Sequence, residues 1–389
     1  MKDKHFETQA IRQQTARSQN NEHSAPLYLS SGFIFDSAED MRAAFSEEKE
    51  AFIYSRYANP NTNELTDKIC LLEGAEEALT MASGMAAIYT TLAALLSSGD
   101  HVIACSSVFG ATHGLLNNYF PKWNIQCSWF RASQAERIEQ LIRPGTKLIY
   151  VETPTNPALD ILDLEFLAYL AKKHRILLVV DNCFATPYLQ QPIRFGVDLV
   201  IHSATKYMDG QGRVLGGIVA GRKDLVREIY LFGRITGPSL SPFNAWVLSK
   251  SLETLALRME RHCENALYLA EQLEGHTAIE RVNYPFLASH PQQALAKKQM
   301  KLGGGVLTFS VKGGYAAAQQ LLDRLGMIKI SANLGDTRSI ATHPASSTHS
   351  KLSGEEQLAT GITPALIRLS VGLEHKEDIL NDLLQALDQ

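Results

Sequence analysis

The sequence predicts an α/β protein with a mainly parallel, doubly wound sheet and a smaller C-terminal α+β domain. Between residues 56 and 245, short apolar runs alternate with helical patterns such as Asp163–His174. The runs are apolar on both faces, which is typical of parallel strands that helices cover on both sides. Around Pro242 this alternation ends and a long helical pattern begins. The clearest strand candidates are His101–Cys105, Lys147–Glu152, Ile176–Asp181 and Asp198–His202.

The chain of 389 residues divides into three predicted segments. Residues 1–55 are polar and have no strong period, so we expect an extended arm. Residues 56–245 form the predicted α/β domain, and residues 246–389 form the C-terminal domain. One long helix over Phe243–Leu273, ending at Gly275, is predicted to connect them. The other elements predicted in the C-terminal domain are the strands Gly305–Val311 and Leu366–Val371 and the helices Tyr315–Leu325 and His375–Leu387.

Composition excludes several classes of function. The chain has 37 Lys and Arg residues and 41 Asp and Glu residues, which gives a formal charge of −4. A small negative net charge does not attract nucleic acid or an anionic membrane. No apolar run reaches the roughly 20 residues of a membrane helix. The five cysteines are scattered without a C-x-x-C pair, which indicates reduced thiols and no metal site. The polar N-terminus has no secretory apolar core, so we expect a cytoplasmic protein.

Several polar residues directly follow the predicted strands. Asp181 ends one strand, Lys206 follows another, and Asn156 follows a third. The turn Ser83-Gly84-Met85-Ala86 opens a helical pattern. Because ligands of open parallel sheets bind beyond the carboxyl ends of the strands, we expect these residues to converge on one crevice.

This set of residues matches the chemical needs of pyridoxal phosphate. Lys206 offers an amine for a Schiff base, and Asp181 offers a carboxylate that keeps the pyridine nitrogen protonated. The phosphate needs backbone N–H groups at a helix N-terminus and neighbouring hydroxyl groups. The candidates for these contacts are Gly84, Met85, Ser203 and Thr205.

Two other chemistries fit the sequence less well. Ser203-Ala204-Thr205-Lys206 fits the S-x-x-K signature of acylating serine enzymes, but the S-D-N and K-T-G tripeptides of those enzymes are absent. Ser203 also closes an apolar strand instead of opening a helix. No G-x-G-x-x-G follows a strand candidate, which argues against a nicotinamide enzyme. The glycines between residues 212 and 221 favour close backbone packing beside Lys206.

Along nearly its whole length, the chain resembles the Cys/Met-metabolism family of pyridoxal-phosphate enzymes. That family includes cystathionine γ-synthase, the γ-lyases and the homoserine-ester sulfhydrylases. The resemblance implies the aspartate-aminotransferase-like fold known as fold type I. The matching stretches, in order, are Tyr54-Ser55-Arg56-Tyr57, Ala82-Ser83-Gly84-Met85-Ala86-Ala87, Glu152-Thr153-Pro154-Thr155-Asn156-Pro157, Val180-Asp181-Asn182, His202-Ser203-Ala204-Thr205-Lys206-Tyr207, His343-Pro344-Ala345-Ser346 and Arg368-Leu369-Ser370-Val371-Gly372.

The resemblance implies roles for further residues. Arg368, with Asn156 and the backbone near Ser339, would bind the α-carboxylate of an amino-acid substrate. Tyr54 and Arg56 in the arm would bind the phosphate of the neighbouring subunit. Active sites would then be shared across a dimer, and the family resemblance favours a tetramer.

Phe109 occupies the position of the aromatic residue that stacks on the cofactor ring, where the γ-lyases typically have tyrosine. A γ-lyase expels a thiolate, whose conjugate acid has a pKa of about 8.5, so a proton donor assists it. A carboxylate leaving from a homoserine ester has a pKa of about 4 and needs no donor. The expected reaction is therefore γ-replacement of O-succinylhomoserine or O-acetylhomoserine by sulfide, giving homocysteine for methionine biosynthesis. A cystathionine γ-synthase using cysteine, or a γ-lyase, is the alternative.

Overall fold

The computed structural model describes residues 1–350 and 353–388. Within these residues it forms a seven-stranded sheet and, further along the chain, a five-stranded sheet. The first sheet contains β1 (Glu77–Met81), β2 (His101–Cys105), β3 (Gln126–Phe130), β4 (Thr146–Glu152), β5 (Leu177–Asp181), β6 (Leu199–Ser203) and β7 (Gly217–Gly221). The second contains β8 (Ile279–Asn283), β9 (Val306–Val311), β10 (Lys329–Ile330), β11 (Ile340–Thr342) and β12 (Leu366–Ser370).

The helices connect these strands and cover both sheets. The α-helices are α1 (Phe6–Arg12), α2 (Ala38–Phe45), α3 (Pro60–Glu73), α4 (Gly84–Leu95), α5 (Gly110–Gly114), α6 (Leu164–His174), α7 (Thr186–Leu189), α8 (Lys223–Thr236), α9 (Pro242–Leu252), α10 (Leu255–Glu274), α11 (Gln293–Gln299), α12 (Gly314–Arg324), α13 (Gly354–Ala359) and α14 (Lys376–Leu387). Short 3₁₀ helices cover Phe120–Trp123, Ala132–Leu141, Pro192–Phe195 and Pro344–Ser346, and a π-helical turn covers Leu115–Tyr119. Over the described residues, no helix is long and apolar enough to cross a bilayer.

The large sheet confirms the predicted fold class. Its strand order is β1-β7-β6-β5-β4-β2-β3. Strands β2 to β6 are parallel, and β7 runs antiparallel to both β6 and β1. Two apolar cores flank the sheet, one including side chains of α4, α6 and α8 and the other side chains of α3, α9 and α10. The carboxyl ends of the neighbouring strands β4, β5 and β6 therefore meet at one edge, as the sequence predicted.

The second sheet has the order β10-β11-β12-β9-β8 and is antiparallel except for the β10–β11 pair. A third apolar core packs α12, α14 and part of α10 against it. The predicted division into residues 1–55, 56–245 and 246–389 stays a prediction. The arm contains the short helices α1 and α2 in addition to extended chain.

The prediction of one continuous helix over Phe243–Leu273 is wrong, because the structure has two helices, α9 and α10. Thr254 breaks the helical backbone with φ −110° and ψ 8°. Leu252 and Leu255 on either side of the break are both fully buried. Apolar spacing therefore continues across the break, and periodicity alone does not reveal it. The buried Arg258 guanidinium donates a hydrogen bond of 2.9 Å to the Ser251 carbonyl and satisfies part of the helix end.

Helix α4 begins in close contact with β7. A Cβ atom built on Gly217 would lie 1.9 Å from the carbonyl oxygen of Ser83, the N-cap residue of α4. Only glycine therefore allows β7 and the start of α4 to approach this closely. The glycine-rich run beside Lys206 has the close-packing role that its composition predicted.

We predict that Gly217→Ala lowers the thermal unfolding midpoint, because the added methyl group forces α4 away from the sheet. Overpacking of this kind costs about 1–3 kcal/mol. Gly275→Ala is the matched control, since Gly275 has φ −86° and a Cβ atom added to it would meet no atom within 4 Å. Equal midpoints for the two variants would contradict the packing argument.

Candidate active site

A cavity of about 220 Å³, the central cavity, lies at the carboxyl edge of the large sheet. The ends of β4, β5 and β6, the start of α4 and three segments of the C-terminal half, around Ala332, Thr348 and Arg368, line it. Nine of the residues predicted from the sequence contribute to its wall: Gly84, Met85, Phe109, Asn156, Asp181, Ser203, Thr205, Lys206 and Arg368. The structure therefore brings together residues that are up to 284 positions apart in the chain.

The N-terminus of α4 forms one end of the central cavity. The Ser83 hydroxyl caps the helix by accepting a hydrogen bond of 3.1 Å from the backbone N–H of Ala86. A Cβ atom on Gly84 would lie 2.7 Å from the Cβ atom of Ser203, so the helix start lies directly against the end of β6. The N–H groups of the first turn have no partner within the helix and attract an anion. This end of the cavity is suited to a phosphate group.

The lysine predicted from the sequence lies in the turn after β6. Its Nζ atom donates a hydrogen bond of 2.6 Å to Oδ1 of Asn333, which belongs to the loop between β10 and β11. Burial lowers the pKa of the Lys206 amine. A lysine with a lowered pKa is a better nucleophile toward an aldehyde, because more of it is unprotonated near neutral pH.

Asp181 occupies the end of β5, the strand next to the one that precedes Lys206. Its Oδ1 atom accepts a hydrogen bond of 3.0 Å from the backbone N–H of Cys183, and its Oδ2 atom lies 3.4 Å from the Tyr150 hydroxyl. Burial raises the pKa of this carboxyl to about 6. The charge of an ionised Asp181 is therefore costly in this buried position, and a bound cation would offset that cost.

A second buried carboxyl group, that of Glu152, was not among the predicted site residues. It accepts a hydrogen bond of 2.9 Å from the backbone N–H of Phe109 and so fixes the loop that carries the phenyl ring. Burial raises its pKa well above the ordinary value, and the charge of Asp181 raises it further. The only sequence signal was its place in the Glu152–Pro157 motif, in which the sequence analysis assigned a role to Asn156 and none to Glu152.

Arg368 extends from β12 into the central cavity and is almost completely buried. Its Nη1 atom donates to Oδ1 of Asn156 at 3.0 Å, and its Nη2 atom donates to the Ala332 carbonyl at 3.0 Å. Its Nε atom is buried without a hydrogen-bond partner, and no acidic side chain of the described residues forms an ion pair with it. A buried guanidinium that lacks a carboxylate is a ready site for the carboxylate of a ligand.

Ser339 does not line the central cavity. Its hydroxyl group donates to Oε2 of Glu374 at 2.9 Å and accepts from the backbone N–H of Gly372 at 2.9 Å. Both contacts join the Ser339 hydroxyl group to the segment that follows β12. The residue of the same loop that does face Lys206 is Asn333, six positions earlier. The family resemblance implied a role for the backbone near Ser339, but spacing did not indicate which side chain of this loop points inward.

Tyr54 and Arg56 also lie outside the central cavity of their own chain. The Arg56 guanidinium donates to the Arg234 carbonyl and lies 5.3 Å from the centre of the Tyr54 ring. Tyr54 is 43% exposed, so its ring is open to a contact beyond this chain. The predicted role at the neighbouring subunit's phosphate stays a prediction.

The residues present fit pyridoxal phosphate. The cavity has an amine of lowered pKa, a buried carboxyl group beside it and a glycine-containing helix start within one wall. These three groups match the aldehyde, the pyridine nitrogen and the phosphate of that molecule. Arg368 remains available for the substrate, because none of these three functions needs it.

Comparison with known proteins agrees with this geometry. The family model described as "Cys/Met metabolism PLP-dependent enzyme" matches residues 7–388. The chain is 46% identical to an O-succinylhomoserine sulfhydrylase of Pseudomonas aeruginosa, over 98% of this chain and 95% of that protein. It is 42% identical to an L-methionine γ-lyase of Porphyromonas gingivalis, over 93% of this chain and 92% of the lyase.

A solved structure from Campylobacter jejuni, assigned as an O-acetylhomoserine (thiol)-lyase, superposes with a TM-score of 0.96 at 36% identity. The match covers 99% of this chain and 100% of that one, which contains a pyridoxyl-lysine-5′-monophosphate. The family match over almost the whole chain and the identity to these relatives lead to one conclusion: the chain belongs to the Cys/Met-metabolism family of pyridoxal-phosphate-dependent enzymes.

Proposed function

We propose that the protein forms homocysteine from O-succinylhomoserine and sulfide by γ-replacement. The observation that carries the proposal is Phe109, a phenyl ring without a hydroxyl group, in the wall of an otherwise complete cavity. The 46% identity to the Pseudomonas aeruginosa sulfhydrylase supports the same reaction. O-acetylhomoserine is a second ester that the same chemistry accommodates.

Arg368 is the proposed anchor of the substrate. Its guanidinium faces the cavity with one N–H group unpartnered, and Asn156 and the Ala332 carbonyl fix its plane. A bidentate contact with the α-carboxylate orients the Cα–H bond toward Lys206. Asn333 bonds the resting amine, and we assign to it the role in this loop that the sequence had assigned to Ser339.

Lys206 is the proposed proton carrier. Pyridoxal phosphate, when bound, takes up the electron pair released at Cα and thereby makes the Cβ protons acidic. The Lys206 amine would accept the proton from Cα, release it to the bound cofactor, and only then accept a proton from Cβ. Its lowered pKa suits this task, because a general base works best with a pKa near the operating pH. Asp181 would keep its negative charge throughout and hold the protonated ring nitrogen.

Phe109 sets the choice of leaving group. Its ring, held by the Glu152–Phe109 backbone contact, offers a stacking face but no proton. The acyl group leaves as a carboxylate, whose conjugate acid has a pKa of about 4, so departure needs no proton donor. Sulfide then adds at Cγ, and Lys206 would return protons to Cβ and Cα. The second candidate is a γ-lyase, which the 42% identity to a methionine γ-lyase favours and the missing hydroxyl group opposes.

The proposal includes an oligomer. Gly84, Met85, Ser203 and Thr205 are the proposed phosphate contacts from one chain, and Tyr54 and Arg56 are those from its neighbour. The position of Tyr54 and Arg56 outside the central cavity of their own chain and the exposure of Tyr54 support this assignment. A tetramer built from two such dimers, acting in the cytoplasm, is the proposed assembly.

We predict that Asp181→Asn weakens cofactor binding roughly 10- to 100-fold, because a hydrogen bond to a charged partner is lost.

We expect the Asp181→Asn protein without cofactor to be at least as stable as the wild-type protein without cofactor. The pKa of Asp181 is raised to about 6 in the folded state, so wild-type cofactor-free protein loses stability as pH rises from about 3.8 through 6. The Asp181→Asn variant has no carboxyl group at this position, so its stability does not fall in this way over that pH range. Fluorescence titration and thermal melts test both points, with the exposed Asp224→Asn as control. Unchanged cofactor affinity would contradict the role of Asp181.

We predict that Phe109→Tyr changes the rate of homocysteine formation by less than about threefold, because the leaving carboxylate does not need the added proton donor. A step that depends on general acid catalysis changes by about 10²–10⁴-fold. Steady-state kinetics with O-succinylhomoserine and sulfide measure this, with Phe166→Tyr on α6 as a matched control. A loss of several orders of magnitude would overturn the leaving-group argument.

The proposed reaction itself is tested by product identity. We expect holoenzyme incubated with O-succinylhomoserine and equal concentrations of sulfide and cysteine to form homocysteine in large excess over cystathionine. Dominant cystathionine would instead make the protein a γ-synthase. Release of 2-oxobutyrate from methionine at a rate comparable to ester turnover would make it a γ-lyase.

A further inference from the structure

Two buried carboxyl groups, those of Glu152 and Asp181, share the wall of the central cavity. Glu152 ends β4 and Asp181 ends β5, and the two residues are partners in the parallel ladder that joins these strands. Neighbouring strands lie about 4.8 Å apart, so partners that face the same cavity are close neighbours. Two carboxylates in one buried site repel each other strongly, and one of them keeps its proton. The chemistry described above gives a charged role to Asp181 alone.

The contacts of the two groups favour the negative charge on Asp181. Its Oδ1 atom accepts a hydrogen bond of 3.0 Å from the backbone N–H of Cys183, and its Oδ2 atom lies 3.4 Å from the Tyr150 hydroxyl. Burial raises the pKa of Asp181 to about 6, but the charge of His202 acts against this rise. Glu152 accepts one hydrogen bond of 2.9 Å from a backbone N–H. Asp181 therefore has more groups that stabilise an anion, and Glu152 is the carboxyl group that retains the proton.

The balance of charges in the loaded site leads to the same assignment. Asp181 would hold the protonated ring nitrogen of pyridoxal phosphate, and the start of α4 would hold its phosphate. Arg368 would hold the carboxylate of the substrate. No Lys, Arg or His side chain in the described part of the chain forms an ion pair with Glu152. A charged Glu152 would therefore be buried without a partner, which costs far more than burial of a neutral acid.

We propose that Glu152 is a positioning residue that acts as a neutral carboxylic acid. Its Oε2 atom holds the backbone N–H of Phe109 and so sets the position of the ring that stacks on the cofactor. The single carboxylate at this edge of the cavity is then that of Asp181. Burial, and then the charge of Asp181, raise the pKa of Glu152 well above its ordinary value, in agreement with this role. The inference goes beyond the proposed function and rests on the part of it that assigns Asp181 to the ring nitrogen.

Cofactor binding tests the proposal separately from turnover. Pyridoxal phosphate is titrated into cofactor-free protein, and its affinity is measured by fluorescence. Glu152→Gln keeps the size of the side chain and an oxygen that accepts from Phe109, but it cannot become charged. We expect its affinity for the cofactor to stay within about twofold of the wild-type value, in contrast to the larger loss predicted for Asp181→Asn. Glu280→Gln, at an exposed position of β8, is the matched control.

Glu152→Leu is the second variant, because it removes the acceptor of the Phe109 N–H group. We expect it to weaken cofactor binding about three- to tenfold, the effect of one hydrogen bond. The visible circular dichroism of the bound cofactor should change in Glu152→Leu and stay as in the wild type in Glu152→Gln. Wild-type affinity and dichroism in Glu152→Leu would overturn the anchoring role. A loss of affinity in Glu152→Gln as large as that in Asp181→Asn would overturn the neutral state.

Thermal melts of the cofactor-free proteins across pH give a readout that needs no cofactor. An acid whose pKa is raised in the folded state contributes stability that is lost as pH rises toward the folded pKa. Glu152→Gln should therefore gain stability relative to the wild type as pH rises above 4.5, the ordinary pKa of glutamate. The titratable and charged groups around Glu152 are Asp181 and Cys183 at the end of β5, Cys105 on β2, Tyr150 on β4, Arg368 on β12 and Lys206 after β6.

The direction of this stability difference separates the two assignments. If Glu152→Gln instead loses stability relative to the wild type as pH rises, Glu152 is ionised in the folded protein and the proposal fails. If Asp181→Asn binds the cofactor as tightly as the wild type, the proposed role of Asp181 fails. The melts still decide in that case whether Glu152 is the neutral acid.

Discussion

The close approach of α4 to the ends of β6 and β7 is the constraint on which the rest of the site depends. Gly84 lies against Ser203, and Gly217 lies against Ser83, with no room for a side chain at either contact. This packing directs the free N–H groups at the start of α4 toward the end of β6, which Lys206 follows. The pairing of Ser203 in β6 with Gly217 in β7 also fixes the position of the turn Ser203–Lys206 relative to α4. Anion binding and amine chemistry are therefore set by the same packing contact.

Buried charge is the second determinant of the site. Four ionisable side chains that line the central cavity are buried: Asp181, Glu152, Lys206 and Arg368. Burial raises the pKa of the two carboxyl groups and lowers the pKa of the two basic groups, so it favours the neutral form of each. His202, one residue before Ser203, pairs with the buried Glu73 and lies close enough to lower the pKa of Asp181. The electrostatics of the cavity thus extend beyond the residues that line it.

The fold and most of the site could be predicted from the sequence because strand-ending polar residues are visible in it. Asp181, Asn156 and Lys206 follow apolar runs, and the parallel arrangement makes those ends meet. Side chains that come from loops of the second sheet were harder to assign. Asn333 and Ser339 stand in one irregular loop, where no period indicates which residue faces inward. The break at Thr254 was missed for a related reason, since buried leucines continue on both sides of it.

The hydrogen bond between Lys206 and Asn333 joins the two sheets at the reactive amine. Groups suited to the cofactor come from the large sheet, whereas Arg368 and Asn333 come from the second sheet and its loop. The groups from the large sheet and the groups from the second sheet can therefore change independently of each other during evolution. A substitution in the second sheet or its loops changes that part of the cavity wall but leaves Asp181, Lys206 and the start of α4 in place.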